Sequence, residues 1–76
     1  MVPKEGDLKI NNLKKYRTNN KYTQEALAEK VNISKTHYQN IEYGKAEPSV
    51  VIAIKLANAL NTEVESLFNI EIHQAI

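Results

Sequence analysis

The stretch Lys35-Thr36-His37-Tyr38-Gln39-Asn40 is polar at every position but Tyr38, and only Lys35 carries a fixed charge. Lysine and the carboxamides of glutamine and asparagine are the side chains that hydrogen-bond base edges in the major groove of a duplex. A helix selected for solubility alone more often carries Glu/Lys pairs at helical spacing. The chemistry on offer is therefore recognition rather than bond-making. The sequence holds no glycine-rich phosphate loop, no nucleophile with a base close by and no paired carboxylates in an apolar setting, so no enzyme is expected. Cysteine is absent, and the two histidines, His37 and His73, lie too far apart for the usual short-spaced metal site. Neither a metal nor a cofactor is expected.

These residues need a helix to display them and others to hold it. Asn11 or Asn12 can cap a first helix containing Leu13, Tyr16 and Arg17, closed by the turn chemistry of Thr18-Asn19-Asn20-Lys21. Thr23 caps a second helix, Gln24 to Val31, with Leu27, Ala28 and Val31 on one face. Asn32 suits a left-handed turn, because asparagine tolerates positive φ better than any residue but glycine. Ile33 plugs that turn, Ser34 caps a third helix running to about Tyr43, and Gly44 stops it. Pro48-Ser49 opens a fourth helix with Ile52, Ala53, Leu56, Ala57 and Leu60 as its core stripe, ended by Asn61. Thr62 and Glu65 have the spacing of a capping box for a short fifth helix with Val64, Leu67 and Phe68. Small Ala28 lets the second and third helices approach closely, with Leu27, Val31, Ile33, Tyr38 and Ile41 as their shared core.

Seventy-six residues make one small domain. Residues 1–7 read as a tail, 8–69 as the domain and 70–76 as a C-terminal segment. Leu8–Ile10 and Ile70–Ile72 both alternate apolar and polar residues, which allows a small antiparallel ribbon beside an otherwise all-α fold. No apolar run can span a bilayer and the first residues lack a secretory pattern, so a cytoplasmic protein without membrane contact is expected. The net charge is only +1. Residues 1–45 carry nine Lys/Arg against five Asp/Glu and residues 46–76 one against four, which would give a basic side for phosphate.

The pattern Thr23-Gln24-x-x-Leu27-Ala28-x-x-Val31-x-Ile33-Ser34, followed by Tyr38-x-x-Ile41-Glu42-x-Gly44-Lys45, resembles the helix-turn-helix domain of Cro and the lambdoid phage repressors. The similarity covers roughly residues 10–68 and is greatest to the small stand-alone bacterial regulators of that family. It departs at Asn32, where glycine is usual, and at Tyr38, where Ile or Val is usual. A tyrosine there must bring its hydroxyl to the surface or to a partner. The resemblance implies a five-helix DNA-binding domain of the lambda-repressor type that acts as a transcriptional regulator. It implies base contacts from Lys35, Thr36 and Asn40, with His37 and Gln39 beside them. Gln24, Ser34, Lys45 and the backbone near Ser49 are implied phosphate contacts, and Arg17 with Glu42 an ion pair tying the first helix to the third.

In so short a chain the fifth helix is expected to leave apolar surface for a second copy. Val64, Leu67 and Phe68, with Ile70 and Ile72, are the expected homodimer interface. A symmetric dimer would bind double-stranded DNA at an inverted-repeat operator and repress by occupying it. Two other readings stay open at this point. The chain can be an antitoxin that also sequesters a protein partner, or an interaction module without DNA affinity, which its near-neutral charge would suit. A polar third helix argues against the latter, because interface cores prefer aromatic and aliphatic anchors.

Overall fold

The computed structural model describes residues 11–68. It contains five helices in chain order: α1 (Leu13–Asn19), α2 (Gln24–Lys30), α3 (Lys35–Glu42), α4 (Val50–Ala59) and α5 (Val64–Phe68). The described residues include no strand. The expected tail, the Leu8–Ile10 and Ile70–Ile72 ribbon and the residues Ile70, Ile72 and His73 lie outside the described residues.

Three helices begin on the expected hydroxyl caps. Thr23 accepts from the Ala26 N–H at 3.0 Å, Ser34 from the His37 N–H at 3.0 Å and Ser49 from the Ile52 N–H at 3.1 Å. Each bond satisfies one of the first-turn donors that a helix leaves without an intrahelical partner. The start of α1 is shared between two asparagines. Asn12 occupies the cap position without a side-chain cap bond, and Asn11 Oδ1 accepts from the Leu13 N–H at 3.0 Å. Their remaining amide hydrogens reach across the fold: Asn11 Nδ2 to the Ile41 carbonyl at 2.9 Å and Asn12 Nδ2 to the Ser66 carbonyl at 3.0 Å. The Asn12 N–H adds a 2.7 Å bond to the Leu67 carbonyl.

The first four helices end alike. A residue with positive φ follows each one: Lys21 (63°), Asn32 (61°), Gly44 (79°) and Asn61 (56°). The next N–H then reaches back five residues, from Tyr22 to Arg17, Ile33 to Ala28, Lys45 to Asn40 and Thr62 to Ala57, at 2.8–3.1 Å. This is the long bond of the Schellman motif, which satisfies a carbonyl that the helix end would otherwise orphan. Asn32 and Gly44 behave as their residue types predict. In the first turn the left-handed position falls on Lys21 rather than on Asn19 or Asn20; Asn20 Nδ2 instead donates to the Tyr16 carbonyl at 2.8 Å.

The core joins all five helices through Leu13, Leu27, Ala28, Val31, Tyr38, Ile41, Ala53, Leu56, Ala57, Leu60, Leu67 and Phe68. Ala28 is buried between α2 and its neighbours, and Ile33 packs on the core from the turn, both as expected. Three expectations need correction. Ile52 is half-buried rather than central to the core, while the opposite side of α4 leaves Val50, Val51 and Ile54 exposed. Helix α5 begins one residue later than a Thr62 cap would give, with the Glu63 carbonyl accepting from Ser66 and Leu67. Leu67 and Phe68 are 0% and 1% exposed. Of the three apolar residues of this short helix, Leu67 and Phe68 are thus packed into the chain's own core, which leaves them little surface to offer a second copy. Val64 is half-buried against the same core.

Candidate nucleic-acid interface

Helix α3 separates its residues by face. Tyr38 and Ile41 are fully buried. Lys35, Gln39 and Tyr43 follow one another at intervals of four on the other side, flanked by Thr36 and Asn40, and this spacing aligns them on one helical strip. Lys35 and Thr36 are exposed, and Gln39 and Asn40 are half-exposed. His37 is half-buried at the edge of the strip, its backbone N–H held by Ser34. The C-terminal end of α3 is fixed by the Asn11 bond to the Ile41 carbonyl.

Behind the strip, Glu42 gathers donors from three helices. Arg17 Nε lies 2.8 Å from its Oε1 and Arg17 Nη2 3.4 Å from its Oε2, and the Tyr38 hydroxyl donates to Oε1 at 2.7 Å. Gln24 Nε2 donates to Oε2 at 2.9 Å. The Glu42 side chain is 3% exposed and that of Arg17 12%. Arg17 Nη1 also donates to the Tyr22 carbonyl at 2.9 Å. The expected ion pair is thus present and carries more than two residues. Tyr38 finds its partner here, which explains how a tyrosine occupies a buried position usually held by Ile or Val. Burial pushes the Tyr38 hydroxyl far above its ordinary range, with the Glu42 bond acting in the same direction. Burial also pushes the Glu42 carboxyl upward, but the hydrogen bonds from Arg17, Tyr38 and Gln24 outweigh it and leave the carboxyl below its ordinary value. The Glu42 bond correspondingly raises Arg17.

The geometry changes what Gln24 can do. Its Nε2 donates to Glu42 and to the Tyr43 hydroxyl at 3.1 Å, and its Oε1 accepts from Gln39 Nε2 at 3.0 Å. A carboxamide has two N–H donors, and both are committed within the protein. The side chain expected to donate to phosphate is instead a brace between α2 and α3. What Gln24 retains for an anion is its backbone N–H in the first turn of α2, where the helix leaves donors unpaired.

Tyr43 is not among the site residues expected from the sequence, yet it is 57% exposed and stands on the strip beside Gln24. Its hydroxyl accepts from Gln24 and so keeps its own hydrogen to donate. The interval from Lys35 through Gln39 to Tyr43 was the signal that could have found it. Lys45 and Ser49 are exposed just beyond α3, and Ser34 and Ser49 act as caps whose hydroxyl hydrogens are still available to donate. Among the described residues no group of histidine, cysteine or carboxylate side chains could hold a metal ion. No helix among them is long and apolar enough to cross a membrane.

Two short capped helices joined by a left-handed turn, the second presenting a polar strip, define a helix-turn-helix DNA-binding domain. The helix-turn-helix family model matches residues 13–67. An HTH-type transcriptional regulator of Methanocaldococcus jannaschii is 40% identical over 58 residues, covering 76% of this chain and 88% of that protein. Among solved structures, the restriction-modification controller protein C.AhdI of Aeromonas hydrophila superposes with a TM-score of 0.71 at 31% identity, covering 82% of this chain and 92% of that one. The N-terminal DNA-binding domain of the biofilm regulator SinR of Bacillus subtilis gives 0.67 at 27% identity over the whole of both chains. The chain belongs to the helix-turn-helix family of the Cro and phage-repressor type, whose members are DNA-binding transcriptional regulators rather than enzymes.

Proposed function

We propose that the chain is a sequence-specific repressor that binds an inverted-repeat operator as a homodimer, with α3 in the major groove. The observation that carries this reading is the outer strip of α3, where the side chains of Lys35, Thr36 and Asn40 make no hydrogen bond to the described protein and face a partner with donors and acceptors intact. Lys35, Thr36, His37, Gln39 and Asn40 contact bases. Lys45, Ser34, Ser49, the Tyr43 hydroxyl and the backbone N–H of Gln24 hold phosphates on either side, which fixes register without reading sequence. A second copy related by a two-fold axis sets two such helices about 34–36 Å apart, one turn of the duplex. With Leu67 and Phe68 committed to the core, a dimer contact at the α5 end is built from Val64 with Ile70 and Ile72.

The test is selection from a random duplex library at about 150 mM salt, where nonspecific phosphate binding has faded. An enriched inverted repeat with half-sites about one turn apart is the expected result. Recovery of unenriched DNA would overturn the reading.

A further inference from the structure

Resting on that reading of α3, we propose that Gln39 is a specificity-determining residue that reads adenine, its carboxamide held in the reading orientation by Gln24. The orientation follows from a chain of donors and acceptors that begins at a group with no freedom. The Glu42 carboxylate can only accept. Its Oε1 takes Arg17 Nε and the Tyr38 hydroxyl, and its Oε2 faces Gln24 at 2.9 Å. Gln24 must therefore turn its nitrogen toward Glu42, and the second hydrogen of that nitrogen goes to the Tyr43 hydroxyl. With its nitrogen so placed, Gln24 presents its oxygen to Gln39, and Gln39 must answer with Nε2, as the 3.0 Å bond shows.

Gln39 is left with one N–H and its carbonyl oxygen, and no other group of the described protein takes either. That pair matches one base. The major-groove edge of adenine offers an N6–H donor beside the N7 acceptor, which a carboxamide meets with its oxygen and one N–H. Guanine offers two acceptors, O6 and N7, and would need the donor already given to Gln24. Cytosine and thymine each leave half of the amide unmatched. Gln24 thus acts as a positioning residue: it removes from Gln39 the one donor that would let it accept guanine.

The duplex selection, repeated with Gln39→Ala and Gln24→Leu after both variants are shown to be folded by circular dichroism, tests this at single-position resolution. The wild type should enrich adenine at one position of each half-site. Gln39→Ala should lose that preference alone and bind about tenfold more weakly. Gln24→Leu, with Gln39 intact and free to turn, should admit guanine at the same position while the other positions keep their preferences. A Gln39→Ala protein that still selects adenine there, or that weakens equally on all sequences, overturns the assignment of Gln39. A Gln24→Leu protein with unchanged preference overturns the positioning role. A wild type that enriches no sequence overturns the proposed function and this inference together, whereas the variant outcomes overturn the inference alone.

Discussion

Helix α3 carries two polar regions on opposite terms. At its C-terminal, inward side Glu42 is almost wholly enclosed and receives Arg17, Tyr38 and Gln24, so three helices meet on one carboxylate. At its outward side Lys35, Thr36 and Asn40 make no side-chain bond to the described protein. The closed region resists change, because removing any partner strands buried polar groups that water cannot reach. The open region can vary in sequence without disturbing the fold. The same eight-residue helix therefore has one part that decides its position and another whose side chains are open to a partner, with Gln39 joined to the first through Gln24.

The contrast can be broken most severely at its centre. Glu42→Ala should destabilise the fold by about 3–5 kcal/mol, since the Arg17 guanidinium and the Tyr38 hydroxyl would be left without their acceptor. Urea unfolding followed by circular dichroism measures this, and a change below about 1 kcal/mol would mean that the enclosed pair contributes no more than a surface one. The acid side of the stability profile sharpens the same point. Because the folded Glu42 carboxyl lies below its ordinary value of 4.5, its stabilising contribution is fully present above that pH. It is lost as pH falls through the folded value, where the unfolded chain binds the proton more readily. Melting temperatures between pH 2 and 7 should show this decline, and Glu42→Gln should flatten it.

The open side should respond in binding only. Lys35→Ala and Asn40→Ala should each cost about 1–3 kcal/mol of operator affinity and relax preference at particular bases, with stability changed by less than about 0.5 kcal/mol. Titrations on operators altered one base pair at a time separate this from a uniform loss. The smallest effect is expected where neither region is touched. Lys21→Gly should stabilise the fold by about 0.5–1 kcal/mol, because a lysine at φ 63° bears a Cβ clash that glycine lacks. A thermal melt that is unmoved or lowered would show that the turn tolerates lysine without strain.

What could be read from the sequence depended on whether a residue's role is local. The hydroxyl caps at Thr23, Ser34 and Ser49 and the turns at Asn32 and Gly44 were legible, because a side-chain type and its neighbours determine them. Lys21 was not, since nothing about lysine marks a left-handed position and the two asparagines before it are the residue type that favours one. Leu67 and Phe68 were recognisable as apolar, but periodicity cannot tell a monomer's own core from a surface shared with a second copy. The Arg17–Glu42 pair came from the family resemblance. The enclosure of Gln24 by Glu42, Tyr43 and Gln39 lay beyond both kinds of reading, because it depends on residues 15 to 19 positions away meeting at one point.

The two bonds from Asn12 to the carbonyls of Ser66 and Leu67 bear on how the chain can be made. They bind the entry to the first helix to the last turn of the fifth, so the fold closes only when nearly all of the helical region is present. A chain still emerging from the ribosome has the donor from the outset and no acceptor until residues 66 and 67 arrive. Until then the core cluster that Leu13 joins also lacks Leu67 and Phe68. The domain should consequently complete its fold as one late, cooperative event, and a circular permutant that joins these two ends and opens the chain within the loop between α3 and α4 would keep the latch while reversing the order in which its halves are synthesised.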